Sequence, residues 1–386
     1  FTITGDNHSL ELYSLLYHGL ATINDCDLKV LTAGEEYDNT IHWFHADSGG
    51  SSIKNSTVDA SNRILFARLG GSLTSSGNGV GFTFDKCTVT NGGTMHVPCF
   101  FVTNSELAAD YIRIHYYHYK FTNSTIRAKI LGFEVGVHTS YANDFSILNN
   151  CDVAVEQWMS AARIKIYGGT KLRVTEGIHL YESVLIYGSG TEVTAASLDR
   201  FRTYSGDTKY DGNQYAGDNS HHYFYARFYD GAKITITGNM DMGVKHNSMP
   251  TIEVYDAGTV LNVSGNADLV NTFCVNSGAT VTVGGDLTLH QDLQVKDAGT
   301  RLTVNGNVYH VTEGTDDLYK SVMREDGSSE RVYWSLWFDG QAMVTVGADV
   351  GSKTEADRTN VVYDRAATNL RFGGKVIRDI QVFYTV

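Results

Sequence analysis

GATVTVGGDLTLHQDLQV, from Gly278 to Val295, contains three pairs of apolar residues, and each pair begins six residues after the previous one. Within a pair, one residue separates the two apolar side chains, which is the alternation expected of a strand with one buried face. The pairs are Val281 and Val283, Leu287 and Leu289, and Leu293 and Val295. Three short strands in about twenty residues predict one coil of a parallel β-helix.

Residues 169–310 repeat this pattern, and each repeat begins with a glycine. The repeats are GTKLRVTEGIHL at Gly169, GAKITITGNMDM at Gly231, GTVLNVSGNADL at Gly258, GATVTVGGDLTL at Gly278 and GTRLTVNGNVYH at Gly299. A Gly-Asn or Gly-Asp pair separates the first two strands of a coil at residues 238–239, 265–266, 285–286 and 306–307. Because Gly, Asn and Asp tolerate positive φ, we predict a tight corner of that conformation there.

The N-terminal half contains a different repeat, typified by INDCDLKV, IKNSTVDA and FTNSTIRA. Its alignment places a small side chain at one position of each coil and an apolar side chain two residues later. We expect the small residues to form an inward-facing column: Cys26, Ser56, Cys87, Ser105, Ser124 and Cys151. A redox or metal site is the alternative for the cysteines, but small core residues explain them more simply.

We therefore predict an all-β chain in which residues 1–386 form one continuous right-handed parallel β-helix (β-solenoid) with about 20–21 residues per coil. Residues 1–160 are the N-terminal coils with the Asn-Ser/Cys column, and residues 161–386 are the coils with Gly-Asn or Gly-Asp corners. Long loop insertions are expected at 202–229 and 313–338. A doubly wound α/β fold is the rival, but helical periodicity is almost missing from the sequence.

Charge and composition narrow the classes of partner. The chain carries 30 Lys and Arg against 43 Asp and Glu, a formal net charge of −13. This charge disfavours nucleic acid as a partner, and no apolar run is long enough for a membrane span.

Corner residues such as Asn239, Asn266 and Asp286 could ligate calcium, but their corner role already explains them, so we expect no metal and no cofactor. Both ends, FTITG and IQVFYTV, have the pattern of strands, and we expect the chain to be a segment of a longer protein.

The phrases GATVTVGGD and GTRLTVNGN resemble repeats of secreted bacterial β-helix proteins, notably autotransporter passengers and adhesin-like surface proteins. The resemblance covers mainly residues 165–350 and implies a β-helix at the cell surface. More remotely, the predicted shape is similar to that of the pectin-lyase-like polysaccharide lyases and glycoside hydrolases. Of their motifs only Arg163-Ile164-Lys165 and Asp316-Asp317 occur, in the wrong order and spacing. We nominate no catalytic residue.

Aromatic clusters give the only positive functional signal. The chain has 23 tyrosines, many of them in short runs such as HYYHY at 115–119 and HHYFY at 221–225. Alternate residues of such a run face outward on a strand, where Tyr and Trp can contact a ligand. We predict these binding residues: Tyr116, Tyr119, Tyr223, Tyr225, Trp334 and Trp337. The alternative is that the loops use these rings as a small core of their own.

From these features we expect a secreted or cell-surface protein of the adhesin type. Its coils would act as a stalk, and its aromatic loops would bind a host or environmental glycan or a surface protein. A pectin-lyase-like polysaccharide lyase or glycoside hydrolase is the second hypothesis. A groove that holds close carboxylates, or a carboxylate beside Arg163 and Lys165, would favour the enzyme.

Overall fold

The computed structural model describes residues 2–12, 15–18, 22–30, 40–44, 51–60, 65–66, 82–97, 100–114, 119–133, 145–200, 225–242, 251–269, 272–311, 320–323, 329–332, 335–353, 359–363, 367–377 and 380–381. All regular secondary structure within these ranges is β-strand. The strands pair in parallel with strands one coil away, except for one antiparallel hairpin. The predicted all-β, parallel β-helical fold is confirmed.

The chain divides into two compact units, and the boundary falls inside one strand, between His179 and Leu180. Unit 1 contains the strands β1 (Thr2–Leu12), β2 (Leu15–His18), β3 (Thr22–Val30), β4 (Thr40–Phe44), β5 (Ser51–Lys54), β6 (Thr57–Ala60), β7 (Leu65–Phe66), β8 (Phe82–Asp85), β9 (Thr88–Val97), β10 (Phe100–Thr103), β11 (Glu106–Ile114), β12 (Tyr119–Thr122), β13 (Thr125–Phe133), β14 (Ser146–Asn149), β15 (Asp152–Val155), β16 (Met159–Tyr167) and the first part of β17 (Lys171–Tyr187).

Unit 2 contains the second part of β17 and the strands β18 (Glu192–Arg200), β19 (Tyr225–Tyr229), β20 (Lys233–Ile236), β21 (Met240–Met242), β22 (Thr251–Val254), β23 (Val260–Val263), β24 (Ala267–Leu269), β25 (Thr272–Val275), β26 (Thr280–Val283), β27 (Leu287–Leu289), β28 (Leu293–Val295), β29 (Arg301–Val304), β30 (Val308–His310), β31 (Lys320–Met323), β32 (Ser329–Val332), β33 (Ser335–Phe338), β34 (Met343–Val346), β35 (Val350–Ser352), β36 (Asn360–Tyr363), β37 (Leu370–Phe372), β38 (Val376–Ile377) and β39 (Ile380–Gln381).

The core of unit 2 is a set of apolar columns that run from coil to coil. Val281 lies in register with Leu302, and both side chains have 0% exposure. In the same way, Leu287 is in register with Val308, and Leu293 is in register with Leu336. Each alternating pair read from the sequence therefore points inward, and the coils bury these side chains against one another.

The column of small residues in unit 1 is buried as predicted. Its hydroxyl groups also accept hydrogen bonds from the backbone of the preceding coil: Cys87 N–H donates to Ser105 Oγ at 3.0 Å, and Ser105 N–H donates to Ser124 Oγ at 3.2 Å. Thr170 continues the column by accepting from Cys151 N–H at 3.2 Å. Burial is the main cause that raises the pKa of the Cys87 and Cys151 thiols, so both remain protonated core groups.

The Gly-Asn and Gly-Asp corners differ from the prediction. Their residues do not have positive φ; the leading glycines of the repeats do, with Gly278 at +87°. At the corner, Asn266 Oδ1 accepts a hydrogen bond from Asp286 N–H at 2.9 Å, and Asp286 Oδ1 accepts one from Asn307 N–H at 2.7 Å. A Cβ at Gly285 would lie 2.0 Å from Asn266 Oδ1, so close approach between coils, and not backbone conformation, requires glycine here.

The insertions are shorter at their C-terminal ends than predicted. Tyr225–Tyr229 of the expected 202–229 insertion is strand β19, which pairs with β17 and β22. Ser335–Phe338 of the expected 313–338 insertion is strand β33, which pairs with β28 and β36. The second insertion also contains the antiparallel pair β31 and β32. Residues 202–224 lie outside the described residues.

Candidate functional site

The structure describes three of the six predicted binding residues, and these three lie in different environments. Tyr119 has 0% exposure and stacks on Phe121 in the core of unit 1, with 5.1 Å between ring centroids. Its prediction as a binding residue is therefore wrong, because position 119 is in register with the buried Phe100. Tyr225 is half-buried and Trp337 is 44% exposed. Tyr116, Tyr223 and Trp334 lie outside the described residues.

Tyr225 and Trp337 share one surface, the aromatic face of unit 2. This face is the outward side of stacked parallel strands: residues 184–187 of β17, then β19, β22, β25, β28, β33 and β36. In chain order, residues 201–224 directly precede Tyr225, and the β31–β32 pair precedes Ser335. Loops that enter beside a regular face are common places for binding.

Three tyrosines form a ladder on this face. The rings of Tyr187 and Tyr229 lie 4.8 Å apart at an interplanar angle of 8°, and those of Tyr229 and Tyr255 lie 5.0 Å apart at 3°. We call these residues the tyrosine ladder. The register between β17 and β19 sets Tyr187 beside Tyr229, so the spacing of the rings is the spacing of the coils.

The sequence reasoning missed the tyrosine ladder. A signal was available, because each of these tyrosines lies two or three residues before a leading glycine of the repeat, namely Gly190, Gly231 or Gly258. The insertion between residues 201 and 224 separates Tyr187 from Tyr229 in sequence, which hides the column unless the coils are aligned by their apolar pairs.

Charged groups surround the ladder. Arg227 Nε lies 2.8 Å from Glu253 Oε2, and the Arg227 guanidinium lies 5.2 Å from the Tyr225 ring centroid. Burial is the largest cause that raises the pKa of Tyr229 and Tyr255, and neighbouring carboxylates raise the pKa of both further. Both phenols therefore carry their protons at neutral pH and can donate and accept hydrogen bonds.

The remaining positions of the aromatic face are mostly neutral and polar. Trp337 is in register with Gln294, and Gln294 with Cys274. Thr251 and Thr272 continue the column that starts at Tyr225. The face thus joins hydrogen-bonding side chains to one exposed indole ring.

The Arg163-Ile164-Lys165 tripeptide occupies strand β16 of unit 1. Ile164 is buried, while Arg163 and Lys165 are half-buried on the opposite side of the strand. Lys165 Nζ lies 4.4 Å from the Phe145 ring centroid, which is a cation–π contact. Alternation on a strand accounts for the pattern of the tripeptide.

Asp152 of unit 1 is paired with two arginines. Its Oδ2 lies 2.6 Å from Arg127 Nη2, and its Oδ1 is hydrogen-bonded to Arg173 Nη2. Partial burial opposes ionisation of Asp152, but the hydrogen bonds and charges of the two arginines outweigh it and lower the pKa. A carboxylate held ionised in this way is a poor general acid at neutral pH.

We expect Asp152→Asn to lower the free energy of unfolding at neutral pH by about 0.3–1 kcal/mol, a small effect because all three side chains are more than one third exposed. Since folding lowers the pKa of Asp152, its contribution is present above the unfolded pKa of about 3.9 and is lost as the pH falls through the lower, folded pKa. Urea denaturation at about pH 7 and about pH 2 checks this. Equal differences between wild type and variant at both pH values would contradict it.

Among the described residues, no group of three or more His, Cys, Asp or Glu side chains is arranged to hold a metal ion. Within the same ranges, no helix has the length and apolar character needed to cross a bilayer. The chain matches no protein-family model, no curated protein and no solved structure.

Proposed function

We propose that the chain is a binding protein of the adhesin type, secreted or held at the cell surface, and that the aromatic face of unit 2 contacts its ligand. The observation that carries this proposal is the exposure of Trp337 on the same face as the tyrosine ladder. An exposed indole ring beside ordered polar groups is typical of ligand-binding surfaces.

The rigidity of this face supports binding. Parallel pairing fixes the backbone, and stacking orders the rings of the ladder before any ligand arrives. Because little side-chain freedom is then lost on association, more of the contact free energy becomes affinity. Such a face suits a stalk-like protein that binds without chemical change.

A glycan is the ligand class that this surface fits best. Tyr and Trp rings pack against the apolar faces of sugars, while phenol, amide and hydroxyl groups bond to sugar hydroxyls. The formal net charge of −13 disfavours nucleic acid. The resemblance of the repeats to surface adhesins supports the extracellular location within the same proposal.

We expect the wild-type chain to bind glycans on an array. We expect Trp337→Ala to weaken this binding about tenfold or more, because a buried Trp at an interface commonly contributes about 2 kcal/mol. Met343→Ala is the matched control: Met343 is 45% exposed and lies on β34 of the same unit, away from the aromatic face. Three results would overturn the proposal: both variants still bind, the array shows no binding at all, or the chain cleaves a polysaccharide.

A further inference from the structure

We infer that the ligand of the aromatic face is an uncharged, extended β-1,4-linked polysaccharide that lies along the stacking direction of the coils of unit 2, with about one sugar per coil. This inference rests on the proposed function and specifies the ligand class. Three features carry it: the repeat of the tyrosine ladder, the polar positions that lead to Trp337, and the charges beside them.

Tyr229, the middle ring of the tyrosine ladder, is stacked on both faces. Tyr229 lies between Tyr187 and Tyr255 at centroid distances of 4.8 and 5.0 Å, so a neighbouring ring covers part of each of its faces. The ring edge, which includes the hydroxyl group, is the part of Tyr229 that these two rings do not cover. The ladder therefore offers hydrogen-bonding groups that repeat once per coil.

A ligand that uses all of these groups must have a similar repeat along the same direction. In an extended β-1,4-linked chain of pyranoses, each sugar advances by nearly the spacing of two stacked strands, about 4.8 Å. Successive sugars of such a chain are turned over relative to one another, so every second sugar, two coils further on, presents the same edge to the face. An α-1,4-linked glucan coils and does not keep this register.

Trp337 adds an exposed indole ring to the aromatic face. It lies three coils beyond the coil of Tyr255, about 14 Å along the stacking direction, and its column is that of Glu253, next to the column of the ladder. In the coils between them, Thr272, Asn276 and Gln294 carry hydroxyl or amide groups, beside Cys274 and Lys296. Their hydroxyl and amide groups donate and accept, as a sugar hydroxyl does, while Trp337 is placed to stack on a sugar face.

The charges beside the ladder favour an uncharged ligand. Arg227 is neutralised by Glu253. The corner next to the face carries the carboxylates of Asp230, Asp256 and Asp297, while Lys296 and Asp339 continue the column of the ladder. A chain of uronic acids would bring like charges to this row, and like-charge contacts at an interface are costly.

Isothermal titration of the full chain with cellohexaose, chitohexaose, maltohexaose and hexagalacturonate tests the inference. We expect at least one of the two uncharged β-1,4-linked hexamers to bind at least tenfold more tightly than maltohexaose or hexagalacturonate. Trp337→Ala should weaken this binding about tenfold or more. Tyr229→Phe, which keeps the stacked ring and removes its hydroxyl, should weaken it about two- to tenfold, as expected for one hydrogen bond. Met343→Ala should leave it unchanged.

The outcomes separate the inference from the proposed function. Tighter binding of hexagalacturonate or maltohexaose that is still lost in Trp337→Ala would overturn the ligand class and leave the binding face in place. Binding that is insensitive to both Trp337→Ala and Tyr229→Phe, or no binding at all, would overturn both. Thermal unfolding of each variant verifies that it is folded, so a loss of affinity is assigned to the contact removed.

Discussion

Gly284→Ala is expected to lower the free energy of unfolding of unit 2 by about 3 kcal/mol or more, at the upper end of the cost of overpacking. The Cβ of an alanine would lie 2.0 Å from the backbone oxygen of Ser264 and 2.8 Å from its backbone carbon. A flexible side chain could rotate away from such a clash, but this backbone cannot. Gly284 N–H donates to Val263 O at 2.7 Å, so the two coils are already in close contact where the methyl group would have to fit.

Ser264→Ala is the matched control, because Ser264 occupies the neighbouring coil, is exposed and already carries a Cβ. We expect its effect to stay within about 0.5 kcal/mol, as for most surface substitutions. Urea denaturation, together with hydrogen exchange of the amides in β23 and β26, measures both variants. Similar stability of the two variants would show that the coils separate easily at this corner.

The fold was predictable because its signal is local and repeated. Alternation at Val281 and Val283 gives a strand with one buried face, and three such pairs per coil leave few architectures that can bury them. The small-residue column of unit 1 was predictable for the same reason, since stacked coils place equal positions of the repeat over one another.

The corners were less predictable because a glycine in the sequence has two possible causes, a positive φ or a close approach between coils, and residue type does not distinguish them. Positive φ explains Gly278, whereas Gly285 is required by the approach of Asn266 from the neighbouring coil. Contacts of this second kind join residues about twenty positions apart, and only the register of the coils defines them.

The candidate site was predicted in part. Trp337 was predicted as a binding residue within the expected 313–338 insertion; it lies on strand β33 and is exposed. The residues of HYYHY are all of similar polarity, so the alternation does not show which of them face inward. Tyr119 is buried. The tyrosine ladder depends on the pairing of β17 with β19 across the intervening insertion, which a sequence pattern alone does not show.

Phe100→Ala is expected to lower the free energy of unfolding of unit 1 by about 3–5 kcal/mol, as large-to-small substitutions of buried aromatic residues do. Phe100 is fully buried, and its ring packs edge-to-face against Phe84 at 5.7 Å and Phe121 at 5.8 Å. Its removal therefore opens a cavity and breaks two aromatic contacts that span three coils. The adjacent Phe101 lies on the other side of β10 and is only half-buried, so Phe101→Ala is expected to cost about 1 kcal/mol or less. Urea denaturation of both variants tests the inward and outward alternation of this strand directly, because two identical side chains at consecutive positions must differ severalfold in their effect.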